Sequence, residues 1–370
     1  MPTAAVTLVA TAGRASMDRY GQQLAAHLPV PSVLVDTSAA SAGRFGARSS
    51  AAVLRGDLRL VRRLRALPGV LHLTHHHLAR YALALGRPYL LTSHDLIRWH
   101  DLTGQAVHIA SPRGLDRLGL RADYAAARRA AHVLAPSEAT RGELVRLLGI
   151  PPEQVTVVPL GLDHALFRPV APRRAPWPYL LFVGSEHPRK NLDAVLRAFA
   201  LLKARPEHAD LRLVKVGAPG DGEAPFGART ARLVEELGLQ REVVFAGEVP
   251  DAELPGWYAG AVCLVLPSRS EGFGLPPLEA MACGCPAVVS SAGSLPEVTG
   301  GAAFVVPPDE PGELADAVAG LLASEPLRHR LRARGLRRAA QFSWERAARE
   351  TMQVYEQVLS APGEPGRVAA

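Results

Sequence analysis

The chain has 370 residues, 48% of them hydrophobic, which is enough for two domains of ordinary size and argues against long-range disorder. Its net charge is +7, and no apolar run approaches the roughly 18 residues that a membrane-spanning helix needs. Met1-Pro2-Thr3-Ala4 carries no basic lead and Val6–Ala10 is too short for a signal core, so a first strand in a cytoplasmic protein is expected.

Short β-branched or Leu-rich runs alternate with helical stretches along the first half. Strands are predicted at Ala5–Ala10, Val33–Asp36, Val70–Leu73, Tyr89–Ser93, His132–Ala135 and Val155–Val158, with helices at Arg19–Leu28, Leu54–Leu67 and Glu138–Leu148 between them. Leu54, Leu58, Val61 and Leu64 fall three or four apart and make one helical face. A break follows over 161–178, where Pro169, Pro172, Pro176 and Pro178 can continue neither a helix nor a central strand. The alternation then restarts, with strands at Tyr179–Val183, Leu211–Val216, Val243–Ala246, Val262–Leu266 and Ala287–Ser290. Helices fit Leu192–Ala204, Ala228–Leu237 and Leu278–Ala282, and the tail from Pro311 to Leu359 is mostly helical. Alternating strand and helix implies parallel sheets in an α/β fold, and such sheets bind ligands beyond their strand ends.

Charge is uneven. Residues 1–170 hold 20 Arg, no Lys and 11 acids, a balance of +9, whereas the rest balances at −2. A basic half suits phosphates, a lipid surface or nucleic acid, and it also fits a plain preference for Arg over Lys. The three cysteines, Cys263, Cys283 and Cys285, sit in apolar or Gly-rich stretches and are expected to be buried free thiols.

The first strand is followed by Thr11-Ala12-Gly13-Arg14, whose single glycine gives little support to a nicotinamide dinucleotide site. The second half opens differently. A strand ends at Gly184, two cations follow at Arg189 and Lys190, and a helix starts near Asn191. Cations beside exposed backbone amides suit a diphosphate, and the plainer reading is a basic loop with an Asn cap. The most informative stretch runs from Pro267 to Gly284. Gly272 and Gly274 permit close approach of backbone to a ligand, and Pro276 and Pro277 suit the first turn of a helix. Glu271 and Glu279, eight positions apart, are poor phosphate ligands but good acceptors for hydroxyls, so a sugar at one end and a ribose at the other would satisfy both.

This stretch resembles the Glu-x7-Glu motif of retaining glycosyltransferases of family 4, which have the GT-B fold. Ala135-Pro136-Ser137-Glu138, Val158-Pro159-Leu160-Gly161, Gly293-Ser294-Leu295-Pro296-Glu297 and Phe342-Ser343-Trp344 resemble further segments of that family. The resemblance implies two facing Rossmann-like domains with parallel sheets: an acceptor-side domain over 1–168 and a nucleotide-sugar domain over 169–343. Residues 344–370 would be a helix crossing back onto the first domain, then a tail. It also implies roles. Lys190 and Arg189 would neutralise the donor diphosphate, and Glu279 would hold the ribose hydroxyls. Glu271 would contact the transferred sugar, with Gly184, Gly272, Phe273, Gly274 and Leu275 near sugar and phosphate. Gly247, Glu248 and Val249 would frame the base. His94, beside Asp95, matches the family's strand-end histidine and would face the sugar. Many relatives carry an arginine where Ser185 stands and a second glycine near Gly13; Arg189 is expected to substitute for the first.

His75, His76 and His77 cannot all point to one metal, and His75 is read as lining the acceptor side. The implied activity is retaining transfer of a hexose from a nucleoside-diphosphate sugar to a sugar, lipid-linked or small-molecule acceptor hydroxyl, in glycan or glycoconjugate synthesis. Mannose from GDP-mannose is favoured slightly over a UDP-sugar. No metal, other cofactor or nucleic-acid partner is expected. The alternative is a non-catalytic nucleotide- or glycan-binding protein of the same fold. Arg55, Arg59, Arg62, Arg63 and Arg65 on one amphipathic helix also allow peripheral contact with an anionic membrane.

Overall fold

The structure, a computed structural model, describes residues 6–11, 16–37, 50–67, 69–106, 109–172, 175–219 and 226–360. The described residues form two units, one drawn from Met1–Gln105, Ser111–Gly161 and Trp344–Ala370, the other from Ala106–Ala110 and Leu162–Ser343.

In the first unit six strands, β1 (Val6–Ala10), β2 (Ser32–Asp36), β3 (Val70–Leu73), β4 (Leu90–Thr92), β5 (His132–Ala135) and β6 (Val155–Val157), make one sheet in the order β2-β1-β3-β4-β5-β6. Every pair is parallel. The second unit repeats the plan with β7 (Tyr179–Val183), β8 (Arg212–Val216), β9 (Val243–Gly247), β10 (Cys263–Leu266), β11 (Ala287–Ser290) and β12 (Phe304–Val306), ordered β12-β11-β10-β7-β8-β9. Leu180 to Phe182 and Cys263 to Leu266 are wholly buried, as apolar runs in the middle of a parallel sheet must be. In each sheet the strand order reverses at one place, between β1 and β3 and between β7 and β10, and doubly wound sheets take their ligands at the strand ends of such a place.

The sequence reading found the strands to within a residue or two, except β12, whose three residues carry too short a signal. It passed over the helices Ile97–Thr103, Gly114–Ala127, Leu254–Gly260 and Leu295–Thr299. Gly114–Ala127 has no apolar stripe along much of its length: Leu115 and Leu118 are exposed, and its buried side includes Asp123. On the helix Ser50–Ala66 the expected stripe needs correcting. Leu58 is 51% exposed, and Leu60 joins Leu64 in the core with Val61 packed beside them.

The last helix, Trp344–Ser360, belongs to the first unit. Its seat is polar. Tyr355 Oη lies 2.7 Å from His72 Nδ1, His72 Nε2 lies 2.8 Å from Thr92 Oγ1, and Tyr20 Oη lies 3.0 Å from the same Thr92 oxygen. His72 is fully buried, and burial lowers its pKa to about 3, so it works as a neutral ring with both nitrogens bonded. Gly161 is obligatory here, since a Cβ would stand 2.4 Å from the Trp344 nitrogen. Tyr355→Phe leaves His72 Nδ1 buried without a partner, a loss of about 1–3 kcal/mol. Thermal unfolding followed by tryptophan fluorescence is expected to show a lower midpoint; an unchanged one would mean that the bond contributes nothing.

Candidate functional site

At the reversal between β7 and β10 two loops meet. β7 ends at Val183, Gly184 follows it, and the chain then makes a tight turn over Pro188–Lys190. Asn191 follows with φ +58°, the sole positive φ among the described non-glycine residues, and the helix Leu192–Lys203 begins. The Asn191 side chain does not cap that helix. Its Nδ2 donates to the carbonyls of Pro267, at 3.1 Å, and Pro308, at 2.6 Å, and so ties the cationic turn to the loop after β10. Arg269 adds two further ties, from its backbone nitrogen to the Arg189 carbonyl at 2.7 Å and from its guanidinium to the Pro188 carbonyl at 2.9 Å.

These ties bring three predicted residues together. Lys190 Nζ donates to Glu271 Oε1 at 2.6 Å, and Arg189 donates to Glu271 Oε2 at 3.0 Å. Ser268 Oγ donates to Oε1 at 2.8 Å. All three charged side chains are largely buried, at 9%, 18% and 8% exposure for Lys190, Arg189 and Glu271. Burial alone would raise the pKa of Glu271, but Lys190 and then Arg189 overcome it and bring the carboxyl from 4.5 down to about 2. Burial pulls the Lys190 ammonium below its usual range, and Glu271 opposes that shift.

The loop carrying Glu271 is fixed from behind. Gly293, at φ +58°, has no room for a Cβ, which would meet the Glu271 carbonyl at 2.5 Å. Ser294 Oγ donates to the carbonyls of Glu271, at 3.1 Å, and Phe273, at 2.7 Å. Gly274, at φ +102°, opens the helix Leu275–Ala282, and Pro276 and Pro277 stand in its first turn as expected. Glu279 lies on that helix at 6% exposure and accepts a hydrogen bond from Tyr258 Oη at 2.8 Å, so one of its oxygens is already engaged. Ser268, Ser294, Gly293 and Tyr258 were not singled out as site residues from the sequence. Gly293 and Ser294 stood in a segment that suggested the family, but nothing in one sequence shows that they reach Glu271. Gly247 ends β9 at φ +68°, with Glu248 exposed and Val249 half-buried after it.

In the first unit His94 is buried, and its Nε2 donates to the Thr74 carbonyl at 2.9 Å. Its ring stands edge-on to Tyr20 at 4.8 Å. Burial lowers its pKa, so the ring is neutral at pH 7. Asp95 Oδ1 accepts the Ile97 N–H at 3.0 Å and shapes the next turn. His75 Nε2 lies 3.5 Å from Thr11 Oγ1, at the reversal between β1 and β3. His76 turns away and stacks on Tyr124 at 5.6 Å. Among the described residues no group of three or more His, Cys, Asp or Glu is placed to hold a metal ion. The three cysteines are free and buried. Gly13 lies outside the described residues.

Residues 6–166 match the family described as Glycosyltransferase Family 4, and residues 166–338 match Glycosyl transferases group 1. The D-inositol 3-phosphate glycosyltransferase of Frankia alni is 33% identical over 312 residues, which cover 79% of this chain and 76% of that protein. O-antigen chain mannosyltransferase B of Escherichia coli is 34% identical over 235 residues, 60% of each chain. Across such curated relatives the matched part spans from 50% to 76% of the relative's length. Sucrose-phosphate synthase of Thermosynechococcus elongatus has the same fold, with a TM-score of 0.78 at 24% identity over 97% of this chain and 100% of that one. Anabaena HepE in complex with UDP-glucose superposes with a TM-score of 0.76 at 17% identity over 96% and 100%. The chain therefore belongs to the family 4 glycosyltransferases and has the GT-B fold. It is a glycosyltransferase, an enzyme rather than a binding protein that keeps the fold.

The pKa of Glu271 carries a prediction. A carboxyl depressed in the folded state stabilises the protein above its unfolded pKa, near 4.5, and that stability drains away as pH falls toward the folded value of about 2. Glu271→Gln lacks this contribution at every pH. Denaturant unfolding is expected to show wild type well ahead of the variant at pH 6, with the gap narrowing steadily below pH 4.5. A gap constant from pH 6 to pH 3, on the order of those values, would mean that the carboxylate is not held by the two cations.

Proposed function

We propose that this glycosyltransferase moves a hexose, with retention, from a nucleoside-diphosphate sugar to an acceptor hydroxyl. The observation that carries the reading is the pair of cations, Lys190 and Arg189, held side by side by Glu271 at the reversal of the second sheet. A diphosphate is an anion that can take over cations already gathered and desolvated. In this reading Lys190 and Arg189 bind the diphosphate, the backbone from Gly272 to Leu275 borders phosphate and sugar, and Glu279, held by Tyr258, accepts from the ribose. Gly247 to Val249 border the base. Glu271 has two uses, gathering the cations before the donor arrives and turning toward the sugar hydroxyls once phosphate replaces it.

The reaction then proceeds on one face of the sugar. The bond from the anomeric carbon to the β-phosphate oxygen breaks, and the acceptor oxygen bonds to the same carbon from the same side. The departing phosphate oxygen takes the acceptor's proton. The growing charge on the leaving group falls on Lys190 and Arg189, so these side chains supply the positive charge and the scheme calls for no metal. His94, a neutral donor or acceptor, is read with His75 and Asp95 as an acceptor-side residue of the first unit. The donor is read as GDP-mannose ahead of a UDP-sugar. Among the relatives two kinds of name recur, an inositol-phosphate glycosyltransferase and mannosyltransferases.

Lys190→Ala is expected to lower kcat/KM by roughly 10² or more, the range for one preorganised donor at a developing oxyanion. Transfer from a radiolabelled nucleotide sugar measures it; near-normal transfer by a folded variant would place the diphosphate elsewhere.

Of a sugar, a lipid-linked or a small-molecule acceptor, a lipid-linked one would bring the enzyme to a membrane surface. On Ser50–Ala66 the side chains of Arg59, Arg62, Arg63 and Arg65 are exposed, and Leu58 is exposed among them; Leu54 and Arg55 lie outside the described side chains. Such a face binds anionic headgroups reversibly, and the attraction is screened over roughly 8–10 Å near physiological salt. Co-sedimentation with anionic vesicles at low salt, and not with neutral vesicles or at high salt, is the expected pattern. Equal recovery in the supernatant under all four conditions would point to a soluble acceptor.

A further inference from the structure

One buried charge near the site has no part in the transfer described above. Glu186 follows Gly184 by two residues, and its side chain is 4% exposed. It pairs at 3.0 Å with Lys215, near the end of β8, whose side chain is 2% exposed. Lys215 Nζ also donates to the carbonyls of Gly217, at 2.6 Å, and Ala218, at 2.7 Å. Those three bonds use all the hydrogens of the ammonium.

The carboxylate is not used up. Its second oxygen, Oε2, is buried and has no hydrogen-bond partner among the described residues. A buried acceptor without a donor is costly and is rarely left so without a reason. Gly227 lies against this oxygen: a Cβ there would stand 4.0 Å from it, at ordinary contact distance. Beside it His187 stands edge-on to Phe226 at 5.4 Å. The same corner reaches the segment given above to the base. The Gly217 N–H donates to the Gly247 carbonyl at 2.7 Å, and the charge of Glu248 acts on Lys215.

We propose that Glu186, fixed by Lys215, reads the nucleobase of the donor and selects guanine. The inference rests on the donor-site reading above. An ionised carboxylate only accepts hydrogen bonds. Guanine offers it two neighbouring donors, the ring N1–H and the exocyclic amino group. Uracil offers a single ring N–H between two carbonyl oxygens, which would face the carboxylate with like partial charge. Adenine and cytosine each set one amino group beside a ring acceptor. A site of this kind rejects the wrong base because its own buried polar atom is then left unpaired.

The test is calorimetric titration of the full chain with GDP, UDP, ADP and inosine diphosphate, which lacks the exocyclic amino group. Wild type is expected to bind GDP at least about tenfold more tightly than UDP, with inosine diphosphate between them. Glu186→Gln is expected to lose about tenfold or more for GDP and little for UDP. The double variant Glu186→Gln with Lys215→Met removes the stranded ammonium and is expected to stay folded, by circular dichroism, without recovering GDP. A wild type that prefers UDP would overturn the inference, as would a folded Glu186→Gln that weakens GDP and UDP alike. Failure of wild type to bind any of the four would overturn the donor-site reading itself.

Discussion

A carboxylate and two cations removed from water at adjacent strand ends hold the second unit in its working form. Separately, each of Glu271, Lys190 and Arg189 would carry a desolvation penalty of several kcal/mol. Together they offset it, because the carboxylate binds a different cation through each oxygen and takes a hydroxyl from Ser268 as well. The arrangement depends on backbone that has no freedom to relax. Asn191 in a left-handed conformation clamps the cationic turn to the loop after β10, and Gly293 and Ser294 close on the loop carrying Glu271. Pairing of this kind adds little net stability over apolar side chains of the same volume, although removing one partner is costly, and its larger effect is on geometry. It keeps two positive charges close together and dry while no anionic ligand is present.

The first unit solves a different problem with neutral groups. The last helix returns to the β1-β3-β4 region and docks through His72, Thr92, Tyr20 and Tyr355. An apolar seat would have tolerated slippage along the helix. Hydrogen bonds between buried partners fix one register, since a shift would leave a ring nitrogen and a phenol unsatisfied. Tyr20 belongs both to this network and to the ring contact that orients His94, so the docked helix and the strand-end histidine share a support.

Much of this could be read from the chain itself. The alternation of short apolar runs with helical stretches is dictated by parallel sheets buried on both sides, and it located nearly every strand. The carboxylates Glu271 and Glu279 and the cations Arg189 and Lys190 were found because glycine, proline and charge are rarely combined at one strand end without a ligand. What escaped the reading is what depends on contact between distant residues. Lys190 and Glu271 stand 81 positions apart, so no spacing rule announces that they touch. Asn191 resembles an ordinary helix cap until its amide is seen to reach Pro267 and Pro308. Leu58 fits a helical stripe by count, yet it is exposed, because the helix turns Leu60 and Leu64 inward instead. Glu186 and Lys215 drew no notice, since an isolated acid and an isolated lysine carry no signal until the fold buries them together.

The central claim is that the cations gathered by Glu271 are the seat of the donor diphosphate. A crystal structure of the chain with a bound nucleoside diphosphate tests it most directly. The account predicts phosphate oxygens within hydrogen-bonding distance of Lys190 Nζ and the Arg189 guanidinium, with Glu271 released from at least one of them. A diphosphate bound elsewhere, with both ion pairs to Glu271 intact, would contradict it.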